Sequence, residues 1–534
     1  MQQTTVVVIG GGATGVGVLR DLSMRGVKAI LLEQRDLVYG TSSRFHGLLH
    51  SGGRYAVKDA ESAQECIEEN MILRKIGRHC VEETEGFFVR LPEDDASFEA
   101  KWVESCNKVG ISTIQISPEE AVRLEPNLTS RALSVYRVPD SAVDGFRLAW
   151  QNVMSAKRYG GQVMTYTEVI DIEQANGRVT GVKIRNTRTG EEDKIACECI
   201  VNAAGSWVER IVAMAGLHVN VKPDRGTLVA FNHRFTSRVV NRLRPPSDGD
   251  IFVPHGSITI LGTTSEAAER PDDTIPRTED VIKLLKIGEG LFEDIYHYRI
   301  LRAFSGTRPL YSANPEAAGR NASRNFTIID HAKEGMEGLV TIVGGKLTTY
   351  RLMAERMTDV VCKKLNVTAQ CRTAVEPLVE DRSAEEIAEA KKYFPSYGTK
   401  VAMSRLGTKF DNVVNRMKAK PETRQLVCEC EMVTLAEVEE MAAEDTSYDL
   451  DDIRRKTRMG MGTCQGSFCG FRSVGVVVTN NLLDNDNSSE LLQGFLQSRW
   501  SGIRAALWGN QLREMELMRG IYQATLNIDG EISS

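Results

Sequence analysis

With 534 residues the chain is too long for one hydrophobic core and predicts two or three domains. Its 42% apolar and 26% charged residues suit a soluble globular protein, and a net charge of −6 argues against nucleic-acid binding and against docking onto anionic lipid. No apolar run approaches the roughly 20 residues that span a bilayer, and the first residues lack the basic and apolar regions of a signal peptide, so the expectation is a cytoplasmic protein or one peripheral on the cytoplasmic side of a membrane.

The run Val6-Val7-Val8-Ile9 predicts a short buried strand. Gly10-Gly11-Gly12-Ala13-Thr14-Gly15 then turns the chain into a helix through Leu19 and Leu22 to Gly26, and a second strand, Val27 to Leu32, ends at Glu33. This is a strand–turn–helix–strand unit with G-x-G-x-x-G at its first turn. Its backbone amides and helix N-terminus suit a pyrophosphate, and the carboxylate suits a ribose diol. A dinucleotide, FAD or NAD, is therefore expected here.

The loop from Asp36 to Tyr55 is rich in small and hydroxylic residues and carries His46, His50, Arg44 and Arg54; both arginines are candidate anion contacts. Residues 59–80 read as a helix, Glu85 to Leu91 as a strand and Ala96 to Gly110 as a helix, after which the signals weaken to about residue 160. Gln162 to Val169 alternates like a strand, and Ile200 to Trp207 reads as a buried strand ending in small residues. Between about 220 and 345 the strand-like runs Gly226 to Asn232, Asp250 to Val253, Ser257 to Gly262, Asn325 to Ile329 and Gly338 to Val343 suggest an inserted antiparallel sheet. That region presents Arg308 between a glycine and a proline, then Arg324, then Asp330-His331. At Val343-Gly344-Gly345-Lys346-Leu347-Thr348 a strand turns into a helix, whose N-terminus would favour negative charge beside a reduced flavin ring.

The strings GGGATG with Glu33, GTSSR…LLHSGGRY, VNAAGSW, SGTRPL, SRNFTIIDH and GGKLTTYRLMAE fall in one order over roughly residues 1–365. In this the chain resembles the FAD-dependent glycerol-3-phosphate dehydrogenases, within the D-amino-acid-oxidase-like flavoproteins. The resemblance implies a Rossmann-like FAD-binding domain, of mixed α/β and α+β class, with an inserted antiparallel-sheet substrate domain. It also implies FAD rather than NAD, and oxidation of sn-glycerol 3-phosphate to dihydroxyacetone phosphate. FAD would be held by Gly10, Gly11, Gly12, Ala13, Thr14, Gly15 and Glu33, and by Thr41, Ser42, Ser43, Arg44 and His50. Ala204 and Gly205, with Gly344, Gly345, Lys346, Leu347 and Thr348, would complete that site. Arg54, Tyr55, Arg308, Arg324 and Lys346 would surround the substrate, with Arg308, Lys346, His50 and His331 as catalytic candidates. Gly47 stands where the single-chain quinone-linked enzymes usually carry lysine, and Phe45-His46 replaces small or hydroxylic residues. No histidine occurs in the segment 224–228, which leaves the base open between His50 and His331.

Eleven cysteines are too few for a disulfide framework, and four fall into two tight pairs, Cys428-x-Cys430 and Cys464-x4-Cys469. Between them Thr434-Leu435-Ala436-Glu437 is a capping-box helix start. Four thiolates suit a [2Fe–2S] cluster or structural zinc, and the single intervening residue in the first pair disfavours zinc. The spacing resembles the bacterioferritin-associated-ferredoxin-like [2Fe–2S] domain.

The expected organisation is a flavoprotein domain over 1–370, with FAD-binding parts at about 1–80, 150–220 and 335–370 and the substrate sheet at about 80–150 and 220–335. A connector over 371–425, a cluster domain over 426–480 and a helical tail over 481–534 follow. In the tail, Leu512, Met515, Met518 and Tyr522 recur at helical spacing and predict packing against the main body. The family resemblance extends to the anaerobic-type catalytic subunit, whose electrons leave through the cluster to membrane-anchoring and electron-transfer subunits (B- and C-type) and a quinone, at the cytoplasmic face of the inner membrane. Two other readings stand beside it. One is a related FAD-dependent dehydrogenase subunit for an amino or hydroxy acid, such as an opine, proline or 2-hydroxyglutarate; the other is a FAD electron-transfer subunit without its own substrate site.

Overall fold

The structure is a computed structural model that describes residues 2–311, 325–394, 396–483 and 488–526. Its first layer is a six-stranded sheet in the order 162–164, 29–32, 6–9, 199–202, 339–344, 326–330, parallel except for the last strand. The strand Val6–Ile9 lies inside it and is buried on both faces. Val6 and Val8 point into a core with the helices Ala13–Met24, Gly145–Arg158 and Tyr350–Lys364. Val7 and Ile9 point the other way, against a four-stranded sheet whose Val169, Val182 and Ile195 cover that face. Such two-sided burial explains the unbroken apolar run.

The second layer is a nine-stranded sheet built from two separate stretches of chain. Its pairings are antiparallel, as expected, except where Val239–Arg242 runs parallel to Gly86–Arg90. That exception falls where the strands of the two stretches, 80–150 and 220–335, meet. Phe87, Phe231, Phe235, Phe252 and Phe292 fill its core, with Phe235 edge-on to Phe231, Phe252 and Phe292.

Several expectations change. Phe326–Asp330 does not join the inserted sheet; it pairs with Leu339–Gly344 and edges the dinucleotide-side sheet. The alternating run at 162–169 is two strands, Gln162–Met164 and Thr167–Ala175, divided at Tyr166, whose φ is +53°. The weak-signal region contains the helix Gly145–Arg158, capped by Asp144, whose carboxylate accepts from the backbone N–H groups of Phe146 and Arg147.

Residues 384–419 include the helices Ala384–Ala390, Ser396–Leu406 and Phe410–Ala419, and Phe394 from the turn after the first, with Leu406, Phe410 and Val413, enters the same apolar core as Val6 and Val8. The capping box at Thr434 forms as expected: Glu437 accepts from the Thr434 amide at 2.7 Å and starts the helix Leu435–Ala442. Glu437 is also fully buried against Arg405, at 2.6 Å. Polar clamps tie the C-terminal region to the flavoprotein body, among them Arg455 to Asp36, Tyr166 to Asp452 at 2.8 Å, and Arg458 to Asp144 at 3.1 Å. No helix among the described residues is long and apolar enough to cross a membrane.

Candidate active site

A cavity of about 590 Å³ opens along the carboxyl ends of the parallel strands, lined by Ile9, Leu32, Ala203 and Val343 among others. Ligands of open parallel sheets bind at this end. Gly10, Gly12, Ala13, Thr14, Glu33, Thr41, Ser42, Arg44, His50, Ala204, Gly205, Gly344, Gly345, Lys346, Leu347 and Thr348 all line it; Gly11, Gly15 and Ser43 do not. Gly10 has a φ of +109°, and a Cβ there would stand 2.7 Å from the Ala203 carbonyl oxygen. Only glycine makes this turn without strain. The half-buried Glu33 carboxylate accepts from the backbone N–H groups of Gly11 at 2.8 Å and Arg35 at 3.0 Å. Burial pushes its carboxyl up, against the pull of those two amides. Ser42 accepts from the Ala13 amide at 2.9 Å, which ties the 41–43 turn to the start of the first helix.

A second cavity, of about 600 Å³, shares Arg44, His46, His50, Tyr55 and Arg308 with the first and adds Arg54, Lys58, Ser247 and Thr263. Arg308 is paired with Asp224, bonds Thr263 through its hydroxyl and donates to the Thr264 carbonyl at 3.0 Å. Arg54 meets Asp250 at 3.3 Å. Lys346 lies 5.1 Å from the Tyr55 ring centre, and its Nζ is buried with no hydrogen-bond partner among the described residues. A buried side-chain donor of this kind on the wall of the first cavity fits a site completed by a polar ligand. With the glycine turn and Glu33, it makes the first cavity suited to FAD.

The histidines separate. His50 lines both cavities, its amide donating to Thr348 Oγ1 at 3.1 Å and its ring packing against His46 and Tyr55. His331 does not belong to the site: it is fully buried, its ring nitrogens sit against Glu334 and Thr341, and it lines neither cavity. Arg324 lies outside the described residues. His46 is a site residue that the sequence marks only as a departure from the family. Its Nδ1 accepts from the Leu48 amide at 3.1 Å, and burial, with Arg54 and Arg308 nearby, holds its pKa down to about 3. It is therefore a neutral imidazole that keeps its proton on Nε2.

The thiols of Cys428, Cys469, Cys464 and Cys430 stand close enough to act on one another, and the neighbouring Cys469 holds the Cys464 thiol down to about 5 despite burial. Cys430 Sγ also meets Thr463 Oγ1 at 3.4 Å. A Cβ on Gly462 would stand 2.4 Å from the Cβ of Cys430, so the backbone there passes close to a cysteine that is otherwise exposed. Among the described residues no group of three or more His, Cys, Asp or Glu side chains is set around a single metal ion.

Residues 5–351 match the family of FAD dependent oxidoreductases. Over its length the chain is similar to the A-type subunit of anaerobic glycerol-3-phosphate dehydrogenase from Escherichia coli (strain K12), with 42% identity over 534 residues, 99% of this chain and 98% of that one. The A1-type subunit of the enzyme of the same name from Haloferax volcanii is 41% identical over 544 residues, covering 98% and 91%. Among solved structures, the FAD complex of glycerol-3-phosphate dehydrogenase from Bacillus halodurans shares the fold at a TM-score of 0.70 and 21% identity, over 95% of this chain and 96% of that one. L-proline dehydrogenase from P. horikoshii aligns at a TM-score of 0.55 and 20% identity, over 68% and 94%. From the glycine turn at Gly10 to the paired cysteines, the chain belongs to the FAD-dependent oxidoreductases and, within them, to the family of A-type subunits of anaerobic glycerol-3-phosphate dehydrogenase.

Proposed function

We propose that this chain is the catalytic subunit of a FAD-dependent glycerol-3-phosphate dehydrogenase and converts sn-glycerol 3-phosphate to dihydroxyacetone phosphate. The observation that carries this reading is the pair Arg54 and Arg308 on the cavity that adjoins the cofactor cavity. A phosphomonoester carries close to two negative charges at neutral pH, and each guanidinium is held in place by a carboxylate, with the planar fork that suits phosphate oxygens. Lys346 and Tyr55 orient the C2 end of the substrate. His46 donates from Nε2 and stays neutral, and His50 takes the C2 hydroxyl proton. When bound, FAD supplies the acceptor for the hydride of C2.

The thiol pairs support a [2Fe–2S] cluster as the exit for electrons. Such a cluster takes two thiolates on each of two irons, so its ligands need not surround one ion. Cys428, Cys430, Cys464 and Cys469 would hold it. From there electrons would pass to partner subunits and a quinone, which would also place the chain at the cytoplasmic face of the inner membrane.

Anaerobic mixing of the purified holoenzyme with sn-glycerol 3-phosphate is the direct test. Flavin absorbance near 450 nm (roughly, as for flavins in general) bleaches if the reading holds. Bleaching by proline or 2-hydroxyglutarate and not by glycerol 3-phosphate overturns it. Iron and acid-labile sulfide at about two each per chain test the cluster, and zinc in their place removes it.

A further inference from the structure

A third cavity, of about 680 Å³, lies where the C-terminal helices meet the substrate sheet. Its walls include the strand Ile300–Tyr311 and the helices Leu450–Thr457 and Ser488–Arg504, and it shares Arg44 and Phe45 with both cavities of the active site. Arginines crowd it. Arg455 is met by Asp36 and Asp452, Arg458 by Asp144 and Glu431, and Arg454 by Asp451.

Arg302 and Arg499 are different. Among the described residues neither has a carboxylate within ion-pair distance, and the Nε of each is buried without a hydrogen-bond partner. Arg499 is 4% exposed, and its Nη1 donates only to the Gly460 carbonyl, at 3.3 Å. Burial and the neighbouring Arg454 push Arg302 down to about 10; burial, then Arg454 and Arg302, push Arg499 well below its ordinary value. Asp451 acts on both, pulling against that shift. Two guanidiniums whose Nε is buried and unpartnered, beside an Arg454 that already takes Asp451, leave a local excess of positive charge, and buried charges persist in folded proteins when something pairs them.

We propose that this cavity binds a phosphate dianion, free or carried by a phosphomonoester, between Arg302, Arg454 and Arg499. A phosphate dianion supplies the negative charge that Arg302 and Arg499 lack, and planar guanidinium forks match phosphate oxygens. Arg302, Arg454 and Arg499 do not line the substrate cavity, which holds Arg54 and Arg308 and shares only Arg44 and Phe45 with this one. Arg302 and Arg308 lie on one strand, so the occupant joins the strand that carries the substrate arginine to the C-terminal helices.

The test is equilibrium dialysis of the full-length holoenzyme with radiolabelled inorganic phosphate at constant ionic strength in chloride. Arg302→Gln and Arg499→Gln each lose one bound equivalent, or bind it at least tenfold more weakly, while Arg308→Gln keeps it. The readout is that one equivalent, so it stands whether or not Arg308 is the substrate anchor. The flavin spectrum reports folding, and Arg302→Gln serves alone if Arg499→Gln loses its flavin. Displacement of the label by AMP at tenfold lower concentration than by phosphate identifies a phosphomonoester; equal potency identifies free phosphate. Unchanged stoichiometry and affinity in the glutamine variants, or loss in Arg308→Gln alone, overturns the proposal.

Discussion

Asp224 and Arg308 stand directly opposite each other on neighbouring antiparallel strands, and their side chains close an ion pair at the edge of both active-site cavities. Gly226, one pleat along, leaves the space: a Cβ there would lie 2.3 Å from Arg308 Nη2. The guanidinium is thus set by the sheet before any ligand arrives.

Replacing Arg308 with lysine keeps one charge but removes the fork that bonds Asp224, Thr263 and Thr264. A loss of about 2 kcal/mol or more is the scale for breaking a buried charged pair, so kcat/KM for glycerol 3-phosphate falls roughly 30-fold or more. Steady-state kinetics with unchanged flavin content checks it.

Gly10→Ala forces a side chain into a φ of +109° and against the Ala203 carbonyl. The expected outcome is loss of bound FAD with the rest of the fold retained, read as the ratio of flavin to protein absorbance against circular dichroism.

Acid should loosen the C-terminal region. Burial pushes the Asp144 carboxyl up, but Arg147, His255 and Arg458 overrule it and hold it well below the usual carboxylate range. A depressed carboxylate stabilises the fold above its unfolded value, about 3.9, and that stability is lost as pH falls through the folded value. Asp144→Asn therefore lowers Tm at neutral pH, and the gap to wild type narrows below about pH 4. Thermal melts from pH 7 to pH 3 decide this.

Arg405→Met leaves Glu437 charged and fully buried without its partner. Breaking one side of such a pair costs about 3–5 kcal/mol. Urea unfolding followed at the C-terminal helices should show the loss, and Arg405→Met with Glu437→Leu should recover much of it.

The first 33 residues are readable because turn chemistry is local: a buried strand, a glycine turn and an acid at the second strand's end sit within one unit. Motif alone marks the loops at 41–50 and 344–348, and the fold brings them to one wall through Thr348 and the His50 amide. The helix Gly145–Arg158 escapes because its apolar side faces a core assembled from far along the chain, with Trp150 and Val153 beside Leu406 and Phe410. His46 escapes because its neutrality comes first from burial in the assembled fold and then from Arg54 and Arg308, the latter more than 250 residues away. The clamp of Arg455 on Asp36 spans 419 positions and has no local signature.

The carbonyl of Thr307 accepts hydrogen bonds from Thr41 at 2.6 Å and Ser206 at 2.8 Å, while the next residue, Arg308, reaches the substrate cavity. One peptide unit therefore measures the gap between the cofactor loops and the substrate's charge. Side chains alternate along a strand, so inserting or deleting a single residue on either side of Thr307 would turn the arginine away while the loops kept their grip, or keep the arginine and release the loops. Evolution can vary the sheet around this strand, but its length at this point is not free to drift.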